Sequence, residues 1–192
     1  MRTTRAALLA AVALGGAGIA AGSAQAAVPT QDSVRATGDA PSSMGSFFNL
    51  DFAVQSDPGG GNVSGHASFN LGGPSGLLVE GPVRCLVVSG NTAYVSIDSS
   101  AFGHIPVVAK LVDGGGPGSG LDRFDAFLSN GSSTNCGFGA FHENPVVGGD
   151  VVVVDAPPLP ASKDQCKHGG YAAFGFTNQG QCVAFVQRGP KP

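Results

Sequence analysis

Short runs of alternating apolar and polar residues, separated by glycine, proline and asparagine, occupy most of this 192-residue chain. In Phe48–Gln55 every second residue is large and apolar, while Asn49 and Asp51 fall on the opposite face. This period of two predicts a half-buried strand. The 31 glycines and 13 prolines would also suit a disordered chain, but the repeated apolar faces can bury a core.

Similar runs continue toward residue 155. Val83–Val88 is almost continuously apolar, which favours a central strand. No convincing helical pattern occurs before residue 160. The other predicted strands are Val63–Leu71, Thr92–Ile97, Ile105–Val112, Phe124–Leu128 and Val151–Val154. Short strands separated by turns predict a mainly β domain over residues 47–155, either an antiparallel sandwich or a barrel.

The N-terminus has the pattern of a secretory signal peptide. Arg2 and Arg5 precede an apolar run over residues 6–21, and small residues lead up to Ala26. We therefore expect residues 1–26 to be removed and the protein to be secreted. A membrane anchor fits less well, because the run is short and contains three glycines. Residues 27–46 have no clear apolar period and predict a flexible leader, although Val34 could instead dock an early edge strand.

The expected mature chain is mildly acidic. Removing 26 of 192 residues leaves 166, and losing two of the ten Lys and Arg residues leaves a charge of 8 − 13 = −5. Without a basic cluster the chain is a poor binder of nucleic acid or anionic lipid. Its last apolar run is bracketed by Asp150 and Asp155, so we expect no membrane span.

Four cysteines follow the signal segment: Cys85, Cys136, Cys166 and Cys182. An even number in an exported chain favours two disulfides. Three pairings are possible. We prefer Cys85–Cys136 and Cys166–Cys182, because each pair then stays within one structural unit. A metal site would need close cysteine pairs or histidine partners, and the sequence has neither CxxC nor HxxxH.

Beyond a proline-rich linker at 156–161, residues 162–187 form a segment that we call the cassette. Ser162 with Gln165, and Asn178 with Gln181, have the spacing of a capping box and predict two short helices. Such helices are unstable alone. A disulfide that closes about 16 residues adds roughly 3 kcal/mol, which predicts a stapled helical hairpin followed by a tail at 188–192.

The cassette also resembles a known segment. The motif DQCK-x-GGY at 164–171, the motif NQGQC at 178–182 and the aromatic residues between and after them are similar to a C-terminal segment of uncharacterised secreted bacterial proteins, often actinobacterial. The usual form has tryptophan at the position of Tyr171 and asparagine at that of His168. Residues 84–93 and 112–120 more loosely resemble the β-rich domain that precedes this segment. The resemblance implies an extracellular module and supplies no catalytic residues.

Candidate sites for chemistry are few. Asp113, Asp122 and Asp125 bracket a glycine-rich loop and are candidate Ca²⁺ ligands, although the spacing is not that of an EF-hand and aspartate commonly caps turns. His142 beside Glu143 could act in acid–base catalysis, but a solvated loop pair is the favoured interpretation. No GxSxG motif occurs. We expect no cofactor.

These observations favour a secreted, non-enzymatic interaction or structural protein that binds an extracellular protein or a cell-surface component. Tyr171 and Phe174 are candidate partner contacts. Two alternatives remain: a secreted hydrolase whose active site assembles from distant residues, and a small inhibitor of extracellular proteases. The loop Asp113–Gly120 suits an inhibitor poorly because it is rich in glycine.

Overall fold

The computed structural model describes residues 30–42, 46–72, 75–131, 134, 136 and 139–188, so the expected signal peptide lies outside the described residues. The described part contains ten strands in two five-stranded antiparallel sheets. In chain order they are β1 (Asp32–Pro41), β2 (Phe47–Ser56), β3 (Ser64–Leu71), β4 (Leu77–Glu80), β5 (Val83–Ser89), β6 (Thr92–Asp98), β7 (Pro106–Val112), β8 (Arg123–Leu128), β9 (Asn144–Pro145) and β10 (Val147–Val154).

The first sheet has the spatial order β10-β1-β2-β3-β4, and the second has the order β5-β6-β7-β8-β9. The chain thus builds four strands of the first sheet, crosses at Gly81 to the second, and returns with β10. A Cβ atom at Gly81 would lie 2.1 Å from the Asp98 carbonyl oxygen, so only glycine allows this close crossing. The two sheets share no paired strand, so the domain is a sandwich and not a closed barrel.

One hydrophobic core lies between the two sheets. Its centre is Phe124 of β8, which is fully buried. The Phe124 ring centroid lies 5.1 Å from that of Phe48, 5.5 Å from Phe69 and 5.9 Å from Phe52, all in edge-to-face geometry. The three partners belong to the first sheet, so these contacts join the two layers. The alternating pattern of β2 therefore buries the predicted face.

The predicted flexible leader is wrong for Asp32–Pro41, which forms β1. This strand lies between β2 and β10 and pairs with both. Its inward residues, Val34, Ala36 and Ala40, are buried. Two of the three are alanines, so the apolar period is weak in the sequence, and pairing on both sides supplies the order. Val34 does dock as the alternative suggested, but in an interior strand.

The prediction of a central strand at Val83–Val88 is also wrong, because β5 is an edge strand. Its sequence is apolar on both faces for two separate reasons. Leu86 faces the core, while Cys85 is buried by its disulfide to Cys136. On the outer face of the second sheet, Phe141 packs against Tyr94 and Phe127 at centroid distances of 5.8 and 5.0 Å.

The C-terminal region contains two 3₁₀ turns, Lys163–Cys166 and Gly170–Phe174, and the helix α1 (Gln179–Arg188). The disulfide Cys166–Cys182 joins the first turn to α1, so both preferred cysteine pairings are confirmed. These three elements contact chiefly one another. The first predicted helix is a single 3₁₀ turn, because the backbone becomes extended at Lys167, and the pair Gly169 and Gly170 follows after His168. No helix in the described part of the chain is long and apolar enough to cross a membrane.

Candidate functional site

An apolar pocket of about 220 Å³ lies between the two sheets at one end of the sandwich. At this end β2 and β7 begin, and β3 and β8 finish. The first sheet contributes Phe48, Phe69, Leu71 and Val79 to the pocket wall. On the opposite side the pocket is bordered by Phe102, Val107, Ala126 and Leu128, and by Phe127, whose ring packs against Phe141. All nine bordering residues have hydrocarbon side chains.

The local sequence explains why space remains there. Ala126 of β8 pairs with Ala109 of β7, so two small side chains meet where the neighbouring positions carry large ones. The wall beside them comes from the 3₁₀ turn Ser100–Phe102. The Ser99 hydroxyl accepts a hydrogen bond from the Ala101 N–H at 3.3 Å, and Gly103 ends the turn at a φ of 63°. This capped turn holds Phe102 at the pocket.

The rim of the pocket is apolar as well. Leu128 lines the pocket and is 47% exposed. Leu77 is 45% exposed; it pairs with Leu71 and shares a strand face with Val79, both of which line the pocket. The inward-facing layer of each sheet therefore extends past the closed core and reaches solvent at this end. Half-exposed leucines beside an apolar cavity are a typical feature of a binding site.

A second concavity, of about 530 Å³, lies on the outer face of the first sheet. Its lining is mixed and includes Gln31, Ser33, Arg35, Gln55 and Ser64. It is larger than the apolar pocket, but its polar groups stay hydrated in water. A ligand there would have to replace the hydration of those polar groups, so the smaller, apolar pocket is the stronger candidate for an apolar ligand.

The predicted Ca²⁺ ligands have structural roles. Asp122 is 3% exposed, and its two carboxylate oxygens accept hydrogen bonds from Gly114 N–H at 2.8 Å and Val151 N–H at 3.0 Å. Asp113 accepts from Val153 N–H at 3.1 Å and from the nearby loop. The two carboxylates thus satisfy N–H groups of the edge strand β10 and fasten the glycine-rich loop to it.

Asp125 lies elsewhere and accepts a hydrogen bond from the His142 N–H at 2.6 Å. Asp150 lies near Asp122 and Asp113 instead. Burial, followed by the charges of Asp122 and Asp113, raises the pKa of Asp150 above its ordinary value. Among the described residues, no group of three His, Cys, Asp or Glu side chains is placed to hold a metal ion. The structure therefore does not bring Asp113, Asp122 and Asp125 together as a metal site.

The histidines lie at the surface. The His142 side chain is 71% exposed, while its neighbour Glu143 forms an ion pair with Lys110. His104 is 74% exposed, and its Nδ1 lies 3.1 Å from a carboxylate oxygen of Asp98. The hydrogen bond from His104 is the largest cause that lowers the pKa of Asp98. These pairs are solvated and lie outside the lining of the apolar pocket.

The predicted partner contacts in the cassette are only partly accessible. Tyr171 and Phe174 belong to the second 3₁₀ turn, and both are half-buried. Cys166 and Cys182 are fully buried, so the disulfide forms the small core of this segment. Asn178 accepts a hydrogen bond from Gln181 N–H at 2.9 Å, as its capping role requires.

The apolar pocket is the feature that the sequence did not reveal. Its walls come from strands and a turn that are far apart in the chain, and each residue taken alone fits an ordinary core. No protein-family model matches this chain, and no curated sequence and no solved structure matches it either. The candidate site is therefore identified from the geometry of the pocket alone.

Proposed function

We propose that the protein is an exported, non-enzymatic binding protein whose ligand places an apolar group in the pocket between the sheets. One observation carries this proposal: the pocket is lined entirely by hydrocarbon side chains and has a half-exposed leucine on its rim. Such a site gains free energy by removing apolar surface from water, at about 25 cal/mol per Å². It offers no acid, base or nucleophile to a reacting group.

Export is supported by two independent features. Residues 1–26 have the pattern of a signal peptide. Two disulfides, with no free cysteine among the described residues, fit an oxidising environment. We therefore expect the pocket to bind either a small apolar ligand or the apolar group of a cell-surface component.

The direct test is isothermal titration calorimetry of the chain with both disulfides formed, using octanoate as the probe. Ala126→Leu fills part of the pocket and should abolish saturable binding. Ala53→Leu is the matched control, since Ala53 is an exposed residue on the outer face of the first sheet, where it lines the second concavity and therefore also tests binding at that site. Thermal unfolding of both variants shows whether they remain folded, because overpacking costs about 1–3 kcal/mol. If both variants bind octanoate equally, the pocket is not the binding site.

The hydrolase alternative is tested on the same preparation. Turnover of ester, peptide or glycoside substrates that survives Ala126→Leu but is lost in His104→Ala would replace the binding proposal with a catalytic one. His104 is the appropriate residue because its imidazole is oriented by Asp98 at 3.1 Å.

A further inference from the structure

We infer that the ligand of the pocket is an unbranched hydrocarbon chain, whose terminal part fills the cavity and whose next carbons lie against Leu77 and Leu128 at the rim. This inference rests on the proposed function and makes it specific. The inferred ligand group is an acyl or alkyl chain, and not a compact ring system or the side chain of a partner protein.

The first argument is the size of the cavity. An engineered apolar cavity of about 150 Å³ holds benzene, which has six carbons. By that proportion, the 220 Å³ pocket has room for roughly nine carbons. A chain of this length enters through the open end, while carbons beyond it must lie outside the cavity.

The second argument is the continuity of apolar surface beyond the cavity. Leu77 from the first sheet and Leu128 from the second are 45% and 47% exposed, and both lie at positions whose neighbours form the pocket wall. A compact ligand would fill the cavity and leave Leu77 and the outer part of Leu128 in water. A longer chain covers them as well, so it removes more apolar surface from solvent.

The third argument is the lack of polar side chains in the lining. The nine lining side chains offer no hydrogen-bond donor or acceptor and no charge. Burying a polar group there without a partner is unfavourable, so the part of the ligand that enters must be hydrocarbon. The polar end of the molecule stays in water at the mouth. This arrangement complements an amphiphile with one long tail.

The experiment compares two carboxylates of equal carbon number, undecanoate and adamantane-1-carboxylate, by calorimetry on the folded chain. The linear ligand should bind at least tenfold more tightly. In a series of straight-chain carboxylates, the Kd should fall about fourfold per added methylene while carbons are still being buried. Leu77→Ser should weaken undecanoate by about threefold to tenfold and leave hexanoate unchanged, whereas Leu128→Ser, in the pocket wall, should weaken both ligands.

The possible outcomes distinguish a failure of this inference from a failure of the proposed function. If adamantane-1-carboxylate binds as tightly as undecanoate, and Ala126→Leu still blocks it, the pocket is a binding site but the linear chain is wrong. If the rim substitutions leave undecanoate binding unchanged, the path over Leu77 and Leu128 is wrong. If neither ligand binds the wild-type chain, the proposed function fails together with the inference. Because Leu77 and Leu128 are half-exposed, their replacement should leave the fold intact.

Discussion

The carboxylate of Asp32 accepts a hydrogen bond from the backbone N–H of Ala156, 2.9 Å away across 124 residues of sequence. Asp32 is 2% exposed and also accepts from the Gly59 N–H at 3.1 Å. The start of β1, the turn between β2 and β3, and the beginning of the proline-rich segment therefore meet at one side chain. Ala156 is buried with it, so the segment after β10 begins as part of the sandwich.

Replacing Asp32 by alanine should destabilise the sandwich by about 2 kcal/mol, because two backbone N–H groups lose their acceptor in a buried place. Urea unfolding followed by circular dichroism measures this change. The control is Asp51→Ala on the outer face of β2, where the carboxylate is 69% exposed and the cost should stay within about 0.5 kcal/mol. Equal costs at the two positions would show that the Asp32 contacts are unimportant for stability.

The contributions of Asp32 and Asp150 to stability should fall as pH rises above 3.8. Burial, partly offset by the N–H groups of Ala156 and Gly59, raises the pKa of Asp32, and the nearby charge of Asp155 adds to the rise. Burial and the charges of Asp122 and Asp113 raise the pKa of Asp150. Between 3.8 and the raised pKa of the folded state, the folded chain binds more protons than the unfolded chain. The unfolding free energy therefore decreases with rising pH in that window.

Asp150→Asn isolates this effect. The unfolding free energy of the wild type minus that of the variant should decrease as pH rises through the window. Asp164→Asn is the opposite control, because the hydrogen bond from Lys167 lowers the pKa of Asp164. Its contribution is present above 3.8 and is lost as pH falls through the lowered pKa. A difference for Asp150→Asn that does not change with pH would contradict the account.

Opening the Cys166–Cys182 disulfide should unfold the cassette and leave the sandwich folded. The elements of the cassette contact chiefly one another, and the bridge spans 16 residues, which corresponds to roughly 3 kcal/mol. In the double variant Cys166→Ser/Cys182→Ser, amide exchange should become fast over α1 and stay slow in β2. The matched variant Cys85→Ser/Cys136→Ser should instead lower the stability of the sandwich by about 4 kcal/mol. Loss of protection in β2 of the first variant would show that the two regions unfold together.

The edge strand β10 should loosen when Asp122 is replaced by alanine. Its carboxylate is the acceptor for Val151 N–H and Gly114 N–H, so both lose a partner and the strand edge is left free. We expect faster amide exchange at Val151 and a greater tendency to aggregate. Asp57→Ala, in another glycine-rich turn, is the control, because its carboxylate bonds to the exposed Asn62 side chain. Unchanged exchange at Val151 would contradict this role for Asp122.

The sequence predicts the elements whose signal is local. Alternation in β2 and capping by Asn178 both depend on residues a few positions apart, and both are confirmed. The sequence does not indicate strand β1, because the order of this strand comes from β2 and β10, which lie on either side of it. It does not indicate the role of Asp122 either, because the partner Val151 is 29 residues away.

The apolar pocket could not be predicted from the sequence. An alanine at position 126 and a valine at 107 fit any buried strand, and a cavity arises only from the way two sheets and one capped turn meet. The one available signal is the pairing of Ala109 with Ala126, and it depends on a strand register that the sequence does not specify. The exposure of Leu128 likewise depends on where the sandwich ends.

The central claim is that this pocket binds an apolar group, and a methyl NMR titration with octanoate tests it most directly. The account predicts saturable shifts of the methyl signals of Val79, Val107, Ala126 and Leu128, with a single dissociation constant for all four. Signals of the cassette, such as the methyl groups of Val183 and Val186, should not move. Shifts confined to the cassette, or no saturable shift at the four pocket residues, would contradict the account.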